Sequence, residues 1–231
     1  MVRTRSTVAT AALAGLLASA GIVGCTGGGS GEEPSARRML DDANDAMREL
    51  RSVTVVADTV RTDGDGFSSR FTTDLRSRCT SKVTWKETGA TLEQIRIGET
   101  DYVRPNRAYV EQWSGKAMNR PQNTWLKTPA SEPGDGLSSC TRDFTSFGTV
   151  RKGEPTEIDG TEAVELVVTD KADKGGKYTF HVATEGKPYI LKVVYKGADL
   201  STTTTYSGFD GPLDVRAPAA AQVLDSTDVD R

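Results

Sequence analysis

Histidine is nearly missing from this chain: one residue in 231, His181, accompanied by only three cysteines. That scarcity excludes the common zinc centres, which need several His or Cys ligands at short spacing, and neither His-x-Glu nor Cys-x-x-Cys occurs. A Gly-x-Ser-x-Gly elbow, a P-loop and a dinucleotide fingerprint are missing too. Nothing marks a catalytic centre, so the reading is of a non-enzyme with no cofactor. Asp63-Gly64-Asp65-Gly66 resembles the opening of a calcium loop, but the later ligands and the distal glutamate are lacking. Positive charge is not in excess: 29 Lys and Arg stand against 32 Asp and Glu, a net charge of −3. Nucleic acids and anionic surfaces select clustered cations, so no nucleic-acid partner is expected. Beyond residue 25 there is no apolar run long enough to span a bilayer.

The apolar run that is present lies at the start. Arg3 and Arg5 precede a stretch from Thr7 to Val23 rich in Ala, Leu and Gly, which ends in Ile22-Val23-Gly24-Cys25. This order, basic then apolar then small residues, reads as a secretory signal, and its end resembles the lipobox of bacterial lipoproteins. The resemblance implies cleavage before Cys25 and lipid on its thiol; the competing reading is an uncleaved membrane helix, since about 18 apolar residues is the lower limit for spanning. Loss of Arg3 and Arg5 takes the net charge from −3 to −5. The organisation is then a signal peptide over 1–24, a Gly/Ser-rich tether over 25–34, one domain over 35–220, and a loose tail over 221–231. The expected location is the outer, extracytoplasmic face of a cell membrane, with the chain held by its lipid.

With Cys25 lipidated, Cys79 and Cys140 remain as an even pair in an oxidising compartment and are expected to form a disulfide; two separate buried thiols are the alternative. Behind Pro34, Ser35 has the character of an N-cap. Ala36, Met39, Leu40, Ala43, Ala46, Met47 and Leu50 recur at spacings of three and four, which predicts an amphipathic helix. From Val53 the period becomes two, with turn residues between short runs, so an antiparallel meander of about ten strands follows. A short strand is expected over 108–112 and irregular chain over 113–136. Leu137, Cys140, Thr141, Phe144 and Phe147 recur at helical spacing, predicting a second helix over 138–147. His181 falls on a strand face with Lys177 and Thr179 and reads as exposed. Beyond Ser207 the chain reads as extended or loose.

A sheet of that size, with two helices to cover it, must twist and curl around them. The fold class is α+β, an antiparallel half-barrel curled around a few helices. Such a concavity either packs tightly or leaves an apolar pocket. The candidates to line it are Phe71, Trp85, Phe144, Phe147, Leu166, Phe180 and Val194, each of which is otherwise an ordinary core residue. Lipobox, tether, helix, interrupted meander and the ending Ser207-Gly208-Phe209-Asp210-Gly211-Pro212-Leu213-Asp214-Val215-Arg216-Ala217-Pro218 together resemble the actinobacterial lipoproteins of the LppX/LprG group, which share the LolA-like fold. That resemblance implies a half-barrel with helices in its mouth and a cavity for acyl chains. The function it implies is binding or carriage of an apolar ligand such as envelope-lipid acyl chains. The alternative is a non-enzymatic envelope sensor whose half-barrel binds a protein partner.

Overall fold

The computed structural model describes residues 34–114, 124–130, 137–173 and 175–225. The expected signal peptide, Cys25 and the expected tether up to residue 33 lie outside the described residues, as does most of the stretch expected to be irregular.

The first helix, α1 (Ala36–Arg48), starts where the sequence predicts: the Ser35 hydroxyl accepts from the Arg38 amide at 3.2 Å. Its stripe buries Leu40, Ala43 and Met47, while Arg37–Asp41 and Arg38–Asp42 pair on the exposed face. Those exposed pairs add only a few tenths of a kcal/mol each, so burial of the stripe decides the helix.

Five strands follow as a meander: β1 (Val53–Arg61), β2 (Gly66–Thr73), β3 (Arg78–Trp85), β4 (Thr91–Ile97) and β5 (Thr100–Pro105). After α2 (Arg107–Ser114) and β6 (Trp125–Pro129), a second meander contains β7 (Thr149–Ile158), β8 (Thr161–Thr169), β9 (Lys177–Ala183), β10 (Ile190–Lys196) and β11 (Leu200–Ser207). β11 pairs with β1 from Thr54↔Ser207 to Arg61↔Leu200, fusing the two meanders, and β12 (Val223–Asp225) adds to β6 in parallel. The result is one twelve-stranded sheet in the order β12-β6-β5-β4-β3-β2-β1-β11-β10-β9-β8-β7. It does not close, so it is an open half-barrel, as the sequence leads one to expect. At β7, the edge strand, the register slips between Lys152 and Pro155.

Alternation assigns the faces. Val55, Phe71, Leu166, Val182 and Ile190 meet Leu40 and Met47 of α1 in one inner core. The register also places the turns after β1, β3, β8 and β10, the start of α2, and Gly148 at one end of the strands, here called the rim. Gly148 has φ +94° and lies so close to the Thr169 carbonyl that a Cβ would strike it. The Arg37 guanidinium donates to the Gly148 carbonyl, so α1 begins at the rim and runs away from it.

Several expectations are corrected. Residues 138–147 form no helix but an irregular strap across the inner face. Its backbone is claimed by side chains of the sheet and of α1: Ser138 N–H donates to Gln94 Oε1 (2.8 Å), Thr73 Oγ1 donates to the Cys140 carbonyl (2.6 Å), and Arg48 donates to that of Phe144 (2.7 Å). Ser139, Thr141 and Asp143 are poor helix formers for the same competitive reason. The second helix is instead α2, where a strand was expected over 108–112. Asn106 caps it, its Oδ1 accepting from Tyr109 N–H at 2.9 Å, and also holds Thr91 N–H. Val223–Asp225 form a strand inside the stretch expected to be loose. His181 is buried, at 7% exposure. Its strand face is as predicted, but Ala163, Ala183 and Leu191 with Ile158, Tyr189 and Phe209 build a second small cluster on that convex side, beside a register shift between Ile190 and Lys192.

Candidate functional site

The proposed lining residues separate into three groups. Phe71, Leu166 and Phe144 are buried in the inner core with α1, and Phe144 meets Tyr206 edge-on at 6.3 Å between centroids. They are structural. Phe147 and Phe180 come together at a cleft, and Trp85 stands at the rim. Val194 is misplaced: its register partners are Thr179 and Thr203 on the convex face, whereas Val193, paired with Phe180, packs against the core. The error is one of parity, a single residue along a strand.

The cleft lies between the end of the strap and the rim ends of β8 and β9. It has a volume of about 220 Å³, with Phe147, Val168, Tyr178 and Phe180 as walls and Asp170 and Asp173 at its mouth. Phe147 is 74% exposed, an apolar side chain with little of its surface covered. Tyr195 stacks beside Tyr178 at 4.6 Å and donates to Asp173 Oδ1 at 3.2 Å. Burial, reinforced by the Asp173 and Asp170 carboxylates, raises the Tyr178 hydroxyl pKa above the ordinary tyrosine value, so this phenol stays neutral at physiological pH. Sequence reasoning missed Val168 and Tyr178, although both share the inner-facing parity of Leu166 and Phe180 on the same strands.

Next to the strap lies a buried polar cluster. Arg96 and Asp101 form a two-pronged ion pair (2.8 and 2.6 Å), and Gln94 Nε2 donates to Asp101 Oδ1 at 3.0 Å and to the Ser138 carbonyl at 3.2 Å. Gln94 thus satisfies both backbone groups of Ser138, and the Cys79–Cys140 disulfide, with 5.4 Å between Cα atoms, anchors the strap two residues further on. The pairing expected of these cysteines is present. On the convex side, Glu93 sits between Lys82 and Arg104, and Arg104 lies over the Trp125 ring at 4.4 Å. Burial pushes the Glu93 pKa up, but the two cations outweigh it and hold the carboxyl below its usual value. This groove is a satisfied ion-pair network. Among the described residues no group of three or more His, Cys, Asp or Glu is placed to hold a metal ion, and no helix is long and apolar enough to cross a membrane.

This open half-barrel is similar in fold to two mycobacterial lipoproteins, LprF and LppX. LprF from Mycobacterium bovis matches with a TM-score of 0.56 at 13% identity, over 80% of this chain and 97% of that one. The lipoprotein LppX from Mycobacterium tuberculosis matches with a TM-score of 0.52 at 17% identity, over 80% of this chain and 100% of that one. At these identities the likeness is one of fold. No protein-family model matches the chain, and no curated protein matches its sequence.

Proposed function

We propose that this chain is an extracytoplasmic lipoprotein, held to the membrane by lipid on Cys25, that binds or carries an apolar ligand, the acyl chains of an envelope lipid, in its half-barrel. The observation that carries the reading is the cleft opening at the rim, walled by the apolar surfaces of Phe147, Val168, Tyr178 and Phe180 with Asp170 and Asp173 beside them. The fold shared with LprF and LppX supports it. At about 220 Å³ the cleft is below the roughly 300–1,000 Å³ of pockets that enclose a whole small ligand, so it takes one end of a chain rather than a complete lipid.

Native mass spectrometry of the protein purified from its own membranes, with organic extraction, should find a co-purifying lipid, and a fluorescent fatty acid should bind saturably. Phe147→Asp, at an exposed position, should weaken probe binding severalfold without changing the melting temperature. A folded parent with neither lipid nor saturable binding defeats the proposal. The filled inner core around α1 favours a second reading, in which the half-barrel serves a protein partner. A ligand-free chain that cross-links to one defined envelope protein in its native membrane would establish it.

A further inference from the structure

Exposed apolar side chains are concentrated at one end of the molecule. Among the described residues the large hydrophobics left exposed are Val60 (40%), Phe67 (39%), Trp113 (45%), Phe147 (74%) and Leu224 (38%). The first four belong to the rim: Val60 is the last but one residue of β1, opposite Gly66, Phe67 pairs with Trp85 at the end of β3, Trp113 is on α2, and Phe147 precedes Gly148. Trp85, Tyr109 and Trp113 form one aromatic cluster, with centroids 5.5 Å (Trp85–Tyr109), 4.7 Å (Trp85–Trp113) and 4.4 Å (Tyr109–Trp113) apart and the last pair stacked. Scattered exposed apolar residues need no explanation, but tryptophan, tyrosine and phenylalanine gathered on one rim do.

The chain also enters the fold at this end, because α1 starts beside Gly148. Cys25 is nine residue steps before Pro34. Nine steps span at most about 30 Å when fully extended, and a Gly-rich segment of that length has a root-mean-square reach of only about 16 Å. Strand β1, nine residues long, itself covers about 30 Å, so the opposite end of the half-barrel stands well beyond that average reach.

We propose that the rim is a membrane-docking surface, and that Phe67, Trp113 and Phe147 sit in the headgroup region of the bilayer that holds the lipid on Cys25. Aromatic rings with one apolar and one polar aspect partition to that depth. Electrostatics contributes little: Arg61 and Lys86 are paired with Asp63 and Asp58, and the other rim cations, Arg107, Lys171, Lys177 and Lys196, are set among the acids Asp65, Glu87, Asp170, Asp173 and Asp199. Docking therefore comes from apolar burial and is insensitive to salt. The cleft at Phe147 then opens directly onto lipid. This inference rests on the lipid anchor assigned to Cys25.

The test uses the full chain, processed in a bacterial host, purified from its membranes and reconstituted into phosphatidylcholine vesicles with plain or brominated acyl chains. Bromine quenches tryptophan on close approach. Quenching of the parent at both low and high salt, reduced at least twofold in Trp113→Phe, is the expected result. Trp85 and Trp125 both remain in this variant, so the difference from the parent reads Trp113 alone. Failure of the protein to float with the vesicles would refute the anchor. Co-flotation without quenching would refute the docking and leave the anchor standing. So would quenching unchanged in Trp113→Phe, or a Trp113-dependent dimer in detergent, which would assign the rim to a second copy of the chain.

Discussion

Phe144 and Phe147 are three residues apart and have different roles, which substitution can separate. Phe144 is in the inner core, so Phe144→Ala should cost about 3–5 kcal/mol of stability. Phe147→Ala should stay within about 0.5 kcal/mol, because its ring is covered on few sides. Chemical denaturation of both variants checks the contrast. His181 supplies a second test. Burial lowers its pKa from 6.5, Glu165 opposes the shift and Lys192 adds to it, and Nδ1 has no hydrogen-bond partner, with Glu165 Oε1 3.9 Å away. A histidine whose pKa is depressed on folding binds more protons unfolded than folded. Its stabilising contribution is therefore complete above about pH 6.5 and is lost as the pH falls through the folded-state pKa. Melting temperatures measured from pH 7.5 downward should drop more steeply for the parent than for His181→Leu, and parallel curves would contradict the assignment.

At the scale of elements, the strap depends on covalent and hydrogen-bonded fastening. Reduction of Cys79–Cys140 releases a loop with a sequence separation of 61 and should cost about 4 kcal/mol in the chain-entropy account, read as a lower denaturation midpoint. Gln94→Leu should destabilise the protein further, because the N–H and C=O of Ser138 lose their shared partner. The strap also shows where sequence reading stops. Helix α1 and most strands of both meanders were legible because one periodic face is buried along them; β7 and β11 bury no residue fully and were legible from the turn residues that bound them. Leu137, Cys140, Phe144 and Phe147 mimic a helix stripe, but the spacing records where an extended chain touches the sheet beneath it. Conversely, α2 is short and its apolar residues look like a strand; only Asn106, a cap behind Pro105, signals it. Which residues line the cleft was legible to the parity of each strand, so Phe180 was found and Val194 was taken from the wrong side of β10.

At the scale of the whole molecule, the open half-barrel was foreseeable from strand count against helix cover. The filling of its inner face was not, since that depends on how α1 and the strap settle together. Attachment is the property with the simplest check. Replacement of Cys25 by serine should leave the chain unprocessed at that position or release it from the membrane, and fractionation of cells that express it reads the result. Retention and processing equal to the parent would remove the lipobox reading.

The sheet stops short of closure, so among the described residues β12 and β7 each have a strand neighbour on one side only. Each edge is guarded differently. β12 offers only three residues, too few to template a long pairing. β7 is long, but its register breaks between Lys152 and Pro155, Pro155 has no amide hydrogen to give, and Arg151, Lys152, Glu154 and Glu157 are exposed along it. An open sheet is thereby kept from growing by strand addition into aggregates.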